Sequence, residues 1–303
     1  MAETIHTNQF LTNFATRYEM RGFVGDFVAP PFKVNRPSDK YVEYTKSSLR
    51  VYNNKIGGRE KSKEISWNTT SGTYTCEEYA LSFFVSNRER ANADKPINLE
   101  QDAVRQVQFS QRLSREKRVA DIAGNAAIIT QTVNAGGDWN VVATGTPVAD
   151  ILTAIKTIYH STGMIANSIV VPMSVAIEAI KTNEWKDYFK YTTSANLWDF
   201  MAGLRNLGLE PQIAGSFGLN TYEGTASDPT MEEIWGENVL VFYREVSPTL
   251  MSRTLMYSPF TERDIVRRFV KDEERGIKIE VYEEIDELLV DATSGYLITN
   301  TLT

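Results

Sequence analysis

The amino-acid sequence predicts a mixed α+β fold in which one long helix has strands on both sides of it along the chain. Residues Leu99 to Ala123 contain neither Gly nor Pro, which predicts an uninterrupted helix. The stretch from Tyr41 to Val85 is rich in strand-forming residues, and Gly276 to Tyr282 alternates apolar and polar residues. The region between the helix and this tail has both helical and strand patterns. Together these observations predict the α+β class.

The first segment, Met1 to about Val28, is polar with scattered aromatic side chains, and Gly22 and Gly25 interrupt any long helix. Such a segment can bury little apolar surface within itself. We therefore expect an arm that becomes ordered by lying on another surface. Pro30 and Pro31 then favour an extended backbone.

A long hairpin is predicted next. Its outgoing strands are Tyr41–Tyr44 and Leu49–Tyr52, its returning strands are Ile65–Asn68 and Tyr74–Val85, and Lys55 to Lys61 form a charged tip. A two-stranded hairpin with so little apolar content is at best marginally stable in water. It is either a loosely held loop or a hairpin that a neighbouring molecule stabilises.

The long helix has clear start and stop signals. Asn98 is a favourable N-cap with Gln101 at capping-box spacing, and Gly124 is well placed as a stop. At ~1.5 Å per residue the helix is a rod of roughly 35–40 Å. That length exceeds what a single compact core needs.

Charged residues crowd the second half of this helix, where Arg112–Glu116 and Lys117–Asp121 have the spacing of i,i+4 ion pairs. One interpretation is an ordinary surface helix with a solvated face. The other is a spine that offers charge to neighbouring subunits.

The rest of the chain alternates helices and strands. Further helices are predicted at Val148–His160, Pro172–Thr182 and Leu197–Leu207, and strands at Ser168–Val171, Val239–Tyr243, Gly276–Tyr282, Leu288–Val290 and Gly295–Ile298.

Composition excludes several classes of function. A formal net charge of -7 argues against general nucleic-acid affinity, which needs clustered Lys and Arg. The lone Cys76 excludes an intramolecular disulfide, and its neighbours Glu77 and Glu78 should raise its pKa. We find no secretory signal and no apolar run of the ~20 residues a membrane span requires. A soluble protein from a reducing compartment is expected.

The sequence offers no convincing catalytic, cofactor-binding or metal site. His6 and His160 are poorly accompanied, and no nucleotide-binding, hydrolase or zincin motif occurs. Acidic residues cluster at Asp272–Glu274 and Glu283–Glu287. Paired carboxylates could bind a cation or serve a glycosidase. A solvated face, or a contact for Arg and Lys of another subunit, is the better interpretation.

Three stretches are distinctive when taken with the order of parts: Val28–Val34, Tyr74–Leu81 followed by Ala91–Pro96, and Ile234-Trp235-Gly236. In these stretches and in the order of its parts, the chain resembles the major capsid protein fold of tailed bacteriophages, which encapsulin shells share. The resemblance implies an N-terminal arm (1–29) and a peripheral domain (30–130) with an extended loop (about 41–75) and a spine helix (about 98–123). It further implies an axial domain (131–245) and returning peripheral strands (246–303).

The resemblance implies a structural protein rather than an enzyme. It would be the shell subunit of a phage head, a virion protein assembled in the host cytoplasm as pentamers and hexamers, with no cofactor and no membrane contact. Portal, scaffolding and possibly decoration proteins would be partners, and packaged double-stranded DNA would be contacted non-specifically. The candidates for contacts between subunits are Lys55, Gly57, Gly58, Arg59, Lys61, Arg112, Arg115, Glu116, Glu283, Glu284 and Asp286.

Within this set, the tip cations Lys55, Arg59 and Lys61 are expected to meet Glu283–Glu287 of an adjacent subunit. Two alternatives remain open from the sequence. An encapsulin-type compartment shell has the same fold, with an enzyme as cargo. An acid/base hydrolase would use the C-terminal acidic cluster, with two carboxylates of separated pKa in one cleft.

Overall fold

The computed structural model describes residues 6–7, 22–44, 50–58, 60–65, 69–92, 98–135, 138–190, 196–219 and 230–302. Within these ranges the α-helices are α1 (Gly25–Val28), α2 (Asn87–Asn92), α3 (Leu99–Ala123), α4 (Pro147–Thr162), α5 (Met173–Ala179), α6 (Asn183–Phe189) and α7 (Leu197–Asn206). None of these helices is both long and apolar enough to cross a lipid bilayer.

The spine helix α3 begins and ends where the sequence predicts. The side chain of Asn98 accepts a hydrogen bond from the backbone N–H of Gln101 at 3.3 Å, as an N-cap does. Gly124 follows the last helical residue, and its N–H donates to the carbonyl of Ala120. The local signals were sufficient here because capping depends on neighbours in the sequence.

The strands form two larger sheets and two ribbons. They are β1 (His6–Thr7), β2 (Pro31–Lys33), β3 (Ser38–Tyr44), β4 (Thr69–Thr75), β5 (Glu77–Ser86), β6 (Thr132–Asn134), β7 (Ser168–Pro172), β8 (Glu210–Ala214), β9 (Phe217–Leu219), β10 (Met231–Glu233), β11 (Val239–Phe242), β12 (Met256–Lys271), β13 (Gly276–Ile285), β14 (Leu288–Leu289) and β15 (Gly295–Thr299).

The first sheet has the order β1-β12-β13-β5, with β2 and β14 also paired to β12. The second sheet has the order β6-β15-β11-β7-β8. The two ribbons are β3–β4 and β9–β10, and both are antiparallel.

Each sheet packs against helices over its own apolar core. The first half of α3 lies on the first sheet through Val104, Val107, Val266 and Ile279. Helices α4 to α7 cover the second sheet around Trp139, Trp185 and Phe200. A third cluster, which includes Val28, Val119, Phe242 and Leu255, joins the arm, the end of α3 and the back of the second sheet.

Several predicted elements differ from the structure. The long strand β12 and the helix α6 were not predicted. The expected strand from Tyr74 to Val85 is two strands that break at Cys76. Residues 50–52 and Ile65 belong to no strand, while Leu49 and residues 66–68 lie outside the described residues.

The arm also differs in part from the expectation. Its described end, residues 22–29, packs onto its own chain, with Val24 and Val28 buried. Residues 1–5 and 8–21 of the expected arm lie outside the described residues.

Candidate assembly site

A buried carboxylate in the second half of the spine helix holds three parts of the chain together. Glu116 is only 3% exposed to solvent. The backbone N–H groups of Val24 and Gly25 donate to its two oxygens at 2.8 and 2.7 Å, and the indole N–H of Trp235 donates at 2.6 Å. Burial raises the pKa of this carboxyl, although the three donors oppose the rise because they favour the charged form. Glu116 therefore links the end of the arm, the spine and the segment before β11.

Gly25 approaches this carboxylate too closely for any side chain. A Cβ at position 25 would lie 2.7 Å from Oε2 of Glu116. We expect Gly25→Ala to destabilise the fold by about 1–3 kcal/mol, because the arm must move away from its acceptor. Denaturant unfolding measures the change. Gly58→Ala is the matched control, since a Cβ there meets nothing within 4 Å, and an equal loss in both variants would contradict the prediction.

The neighbouring Arg115 is also buried and is paired within the chain. Its guanidinium forms an ion pair with Asp26 of the arm and a second, at 3.6 Å, with Glu287. Arg263 on β12 pairs with the other oxygen of Asp26. The Asp26 side chain is half exposed, and its partial desolvation by itself raises its pKa; Arg115 and then Arg263 outweigh this effect and lower the pKa from 3.8 to about 2. The arm is thus held by both the spine and the first sheet.

This lowered pKa gives a pH dependence with a definite sign. The stabilisation by ionised Asp26 is complete above pH 3.8 and is lost as the pH falls toward about 2. We expect Asp26→Asn to flatten the decline in unfolding free energy over that window. Urea unfolding at a series of pH values measures it, and an unchanged slope would contradict the assignment.

The acidic cluster at the end of β13 is likewise paired inside the chain. Arg118 makes two hydrogen bonds to Glu287, at 3.1 and 2.8 Å, and lies 3.6 Å from an oxygen of Glu283. Its guanidinium also stacks 3.7 Å above the Tyr79 ring. Burial raises the pKa of Glu283, and the positive charges of Arg115 and Arg118 partly offset this rise. This cluster stabilises the packing of the spine helix against the first sheet.

Glu284 and Asp286, the carboxylates of the hydrolase alternative, have structural partners too. The Thr261 hydroxyl donates to Glu284, and the backbone N–H of Thr75 donates to Asp286 at 3.0 Å. Among the residues that the structure describes, no group of three or more His, Cys, Asp or Glu side chains could hold a metal ion.

Cys76 lies beside these carboxylates, and its pKa is raised to about 11. The sequence predicted a rise from Glu77 and Glu78. The cause is instead burial, followed by the charges of Asp286 and Glu284. The sequence therefore predicted the rise in the pKa of Cys76 correctly, but the carboxylates that contribute to it are distant in the chain and come close only in the folded structure.

Ion pairing on the spine also differs from the prediction. Lys117 and Asp121 pair as expected. Arg112 and Glu116 have the same spacing, but Arg112 pairs with Asp264 at 3.3 Å and Glu116 accepts hydrogen bonds from the arm. The charged half of the helix is therefore not a solvated face.

These contacts divide the predicted subunit-contact residues into two groups. Arg115, Glu116 and Glu283 are buried in their own chain, and their contact with a neighbouring subunit stays a prediction. Arg112, Glu284 and Asp286 are partly buried and have the intrachain partners given above. They were chosen because charged residues in a helix or acidic run look exposed when only the sequence is known.

The second group lies on the loop and is exposed. We call residues 50–58 and 60–65 the distal loop segment; these residues are exposed and belong to no helix or strand. Lys55, Gly57, Gly58 and Lys61 lie here, while Arg59 is outside the described residues. Apolar side chains are exposed with them, including Val51 at 94% and Ile65 at 58%.

A local turn shapes the tip of this segment. The N–H of Glu60 donates to the carbonyl of Gly57 at 3.1 Å, and the Glu60 carboxylate accepts from the N–H of Gly57 at 2.9 Å. The base is the β3–β4 ribbon, where Tyr44 is paired with Thr69. The loop thus presents charge and apolar surface that its own chain does not cover in the described residues.

Comparison with known proteins identifies the fold. No protein-family model matches the chain. The major capsid protein of Burkholderia phage BcepMu is 26% identical to this chain over an alignment 307 residues long, which covers 95% of this chain and 94% of that protein. A phage-related protein from Bordetella bronchiseptica RB50 has a TM-score of 0.77 at 20% identity over 99% of both chains. The capsid structure of cyanophage P-SCSP1u has a TM-score of 0.61 at 6% identity, over 89% of this chain and 86% of that one.

The chain has the tailed-phage capsid fold. Both the predicted α+β class and the resemblance stated from the sequence are confirmed by these matches. Because they span nearly the whole chain, the capsid fold includes both sheets and the spine helix rather than one of them alone.

Proposed function

We propose that this chain is a major capsid subunit, which assembles with copies of itself into the closed shell of a tailed-phage head. The observation that carries the proposal is the full-length match to the major capsid protein of phage BcepMu. The exposed distal loop segment supports it, because a subunit of a closed shell needs surface that only a neighbour covers.

We further propose the division into arm (1–29), peripheral domain (30–130 and 246–303) and axial domain (131–245). Support comes from the two sheets, each with its own helices and core. Strand β15 lies within the range 246–303 but pairs with β11 and β6 in the second sheet, so we assign β15 to the axial domain. The cluster around Glu116 and Asp26 lies where the three parts meet. In this proposal it sets their relative positions before assembly.

For contacts between subunits, we retain Lys55, Gly57, Gly58, Arg59 and Lys61. The acidic residues Glu283 and Glu287 are not their partners in this proposal, because Arg118 already pairs with both. Other exposed acids must serve instead.

An encapsulin-type shell is less favoured, because the chain matches the major capsid protein of phage BcepMu over nearly its whole length. The hydrolase alternative loses its geometric support, since Glu284 and Asp286 make structural contacts. We place the mature protein in the virion. Assembly in the host cytoplasm, contact with portal, scaffolding and decoration proteins, and non-specific contact with packaged DNA are parts of the proposal.

Sedimentation velocity tests the proposal. We expect species of capsomer size or larger beside the 34.2 kDa monomer, increasing with subunit concentration. A chain that stays monomeric at all concentrations, with a scaffolding protein or crowding agent added, would contradict it.

A further inference from the structure

Strand β5 is an edge of the first sheet in the part of the chain that the structure describes. The sheet order β1-β12-β13-β5 gives β5 one strand neighbour, and no described strand pairs with its other side. The strand is 10 residues long, and most of its side chains are exposed. A long exposed edge presents unpaired N–H and C=O groups, to which a strand of another chain can bind.

The side chains of this edge suit a partner with apolar and cationic residues. Leu81 is 40% exposed and Phe83 is 46% exposed, although they lie opposite the buried Val281 and Ile279 of β13. Glu77 at the start of β5 is exposed as well. An acid at position 77 is thus followed, on the same face, by apolar groups from position 81 onward.

The distal loop segment contains a complementary run. Lys61, Lys63 and Ile65 occupy alternate positions, so in a strand they would share one face. All three are exposed and belong to no strand of their own chain. Lys61 and Ile65 are four residues apart, which equals the separation of Glu77 and Leu81.

We propose that residues Lys61–Ile65 of a second copy add to β5 as a parallel strand, with Lys61 opposite Glu77 and Ile65 opposite Leu81. The parallel direction places opposite charges together and apolar groups together. The antiparallel direction would place Lys61 opposite Leu81 and Ile65 opposite Glu77, so that each pair would join a charged side chain to an apolar one. Main-chain hydrogen bonds then supply affinity and the side chains fix the register. This inference rests on the proposed function, because it requires shell assembly.

A proline scan of positions 61 to 65 tests the added strand. Only alternate N–H groups of a strand face one neighbour, so proline should reduce the fraction of subunits in closed particles about tenfold at alternate positions only. Alanine at each position controls for loss of the side chain. If the wild type closes shells but proline has a uniform effect, or none, the strand is not formed and the proposed function stands.

A charge exchange tests the register. Lys61→Glu and Glu77→Lys should each reduce closed particles, and the double variant should restore them. The matched control combines Lys55→Glu with Glu77→Lys and should not restore them. Restoration by the control, or failure of the true pair to restore assembly, would overturn the register. A wild type that forms no particles with scaffold present would instead contradict the proposed function.

Discussion

Glu116→Ala is expected to lower the free energy of unfolding by about 3–5 kcal/mol, which is a large fraction of the stability of a typical domain. The substitution removes the acceptor of the N–H groups of Val24 and Gly25 and of the Trp235 indole. Buried donors left without an acceptor each carry a desolvation cost. Chemical denaturation at one low subunit concentration measures the loss.

Glu262→Ala is the matched control, because the half-exposed Glu262 forms a surface ion pair with Arg267 on one strand. It should change the unfolding free energy by less than about 1 kcal/mol. Glu116→Gln should be intermediate, since its amide keeps one acceptor oxygen but presents a donor to other donors. Equal effects of Glu116→Ala and the control would contradict the claim that Glu116 links the arm, the spine helix and the segment before β11.

Deletion of Lys55 to Lys61 is expected to abolish shell closure while leaving the subunit folded. The described residues of this stretch are exposed, so removing them costs the core almost nothing and should change the unfolding free energy by less than about 1 kcal/mol. Electron microscopy counts closed particles, and circular dichroism follows unfolding.

A variant in which a Gly/Ser segment of equal length replaces these seven residues separates loop length from loop chemistry. If the side chains make the contacts, this variant should fail to close shells as the deletion does. Closed particles from the deletion variant would show that the tip is not an assembly element.

The parts that sequence reasoning predicted well are governed by near neighbours. The spine helix has an N-cap, a first turn with two acids and a stop, and all of these act within a few residues. The strands β7, β11 and β15 were predicted because their apolar runs are bounded by turn residues. Each observed strand differs from its prediction by one residue at its C-terminal end.

Strand β12 was missed because its pattern is broken at several points. Pro259 interrupts it, and the register with β13 shifts around Glu262 and again before Ile265. Asp264 has a φ of 55°, which is rare for a residue other than glycine. The strand forms because β13 pairs with it from Phe260 to Lys271, while β14 and β2 pair with its first residues. No local pattern contains that information.

The site around Glu116 could not be predicted for a similar reason. Its partners Val24 and Trp235 are 92 and 119 residues away in the chain. A run of Arg, Glu and Lys on a helix resembles a solvated face until the partners are known. One available signal was Asp26 beside a glycine in the otherwise apolar stretch of Phe23 to Ala29.

Cryo-electron microscopy of the purified full-length protein, with scaffolding protein where required, tests the central proposal most directly. We predict closed icosahedral particles made of rings of five and six subunits, in which each distal loop segment lies on a neighbouring subunit. A chain that remains monomeric under all these conditions, or that forms only irregular aggregates, would contradict its assignment as a capsid subunit.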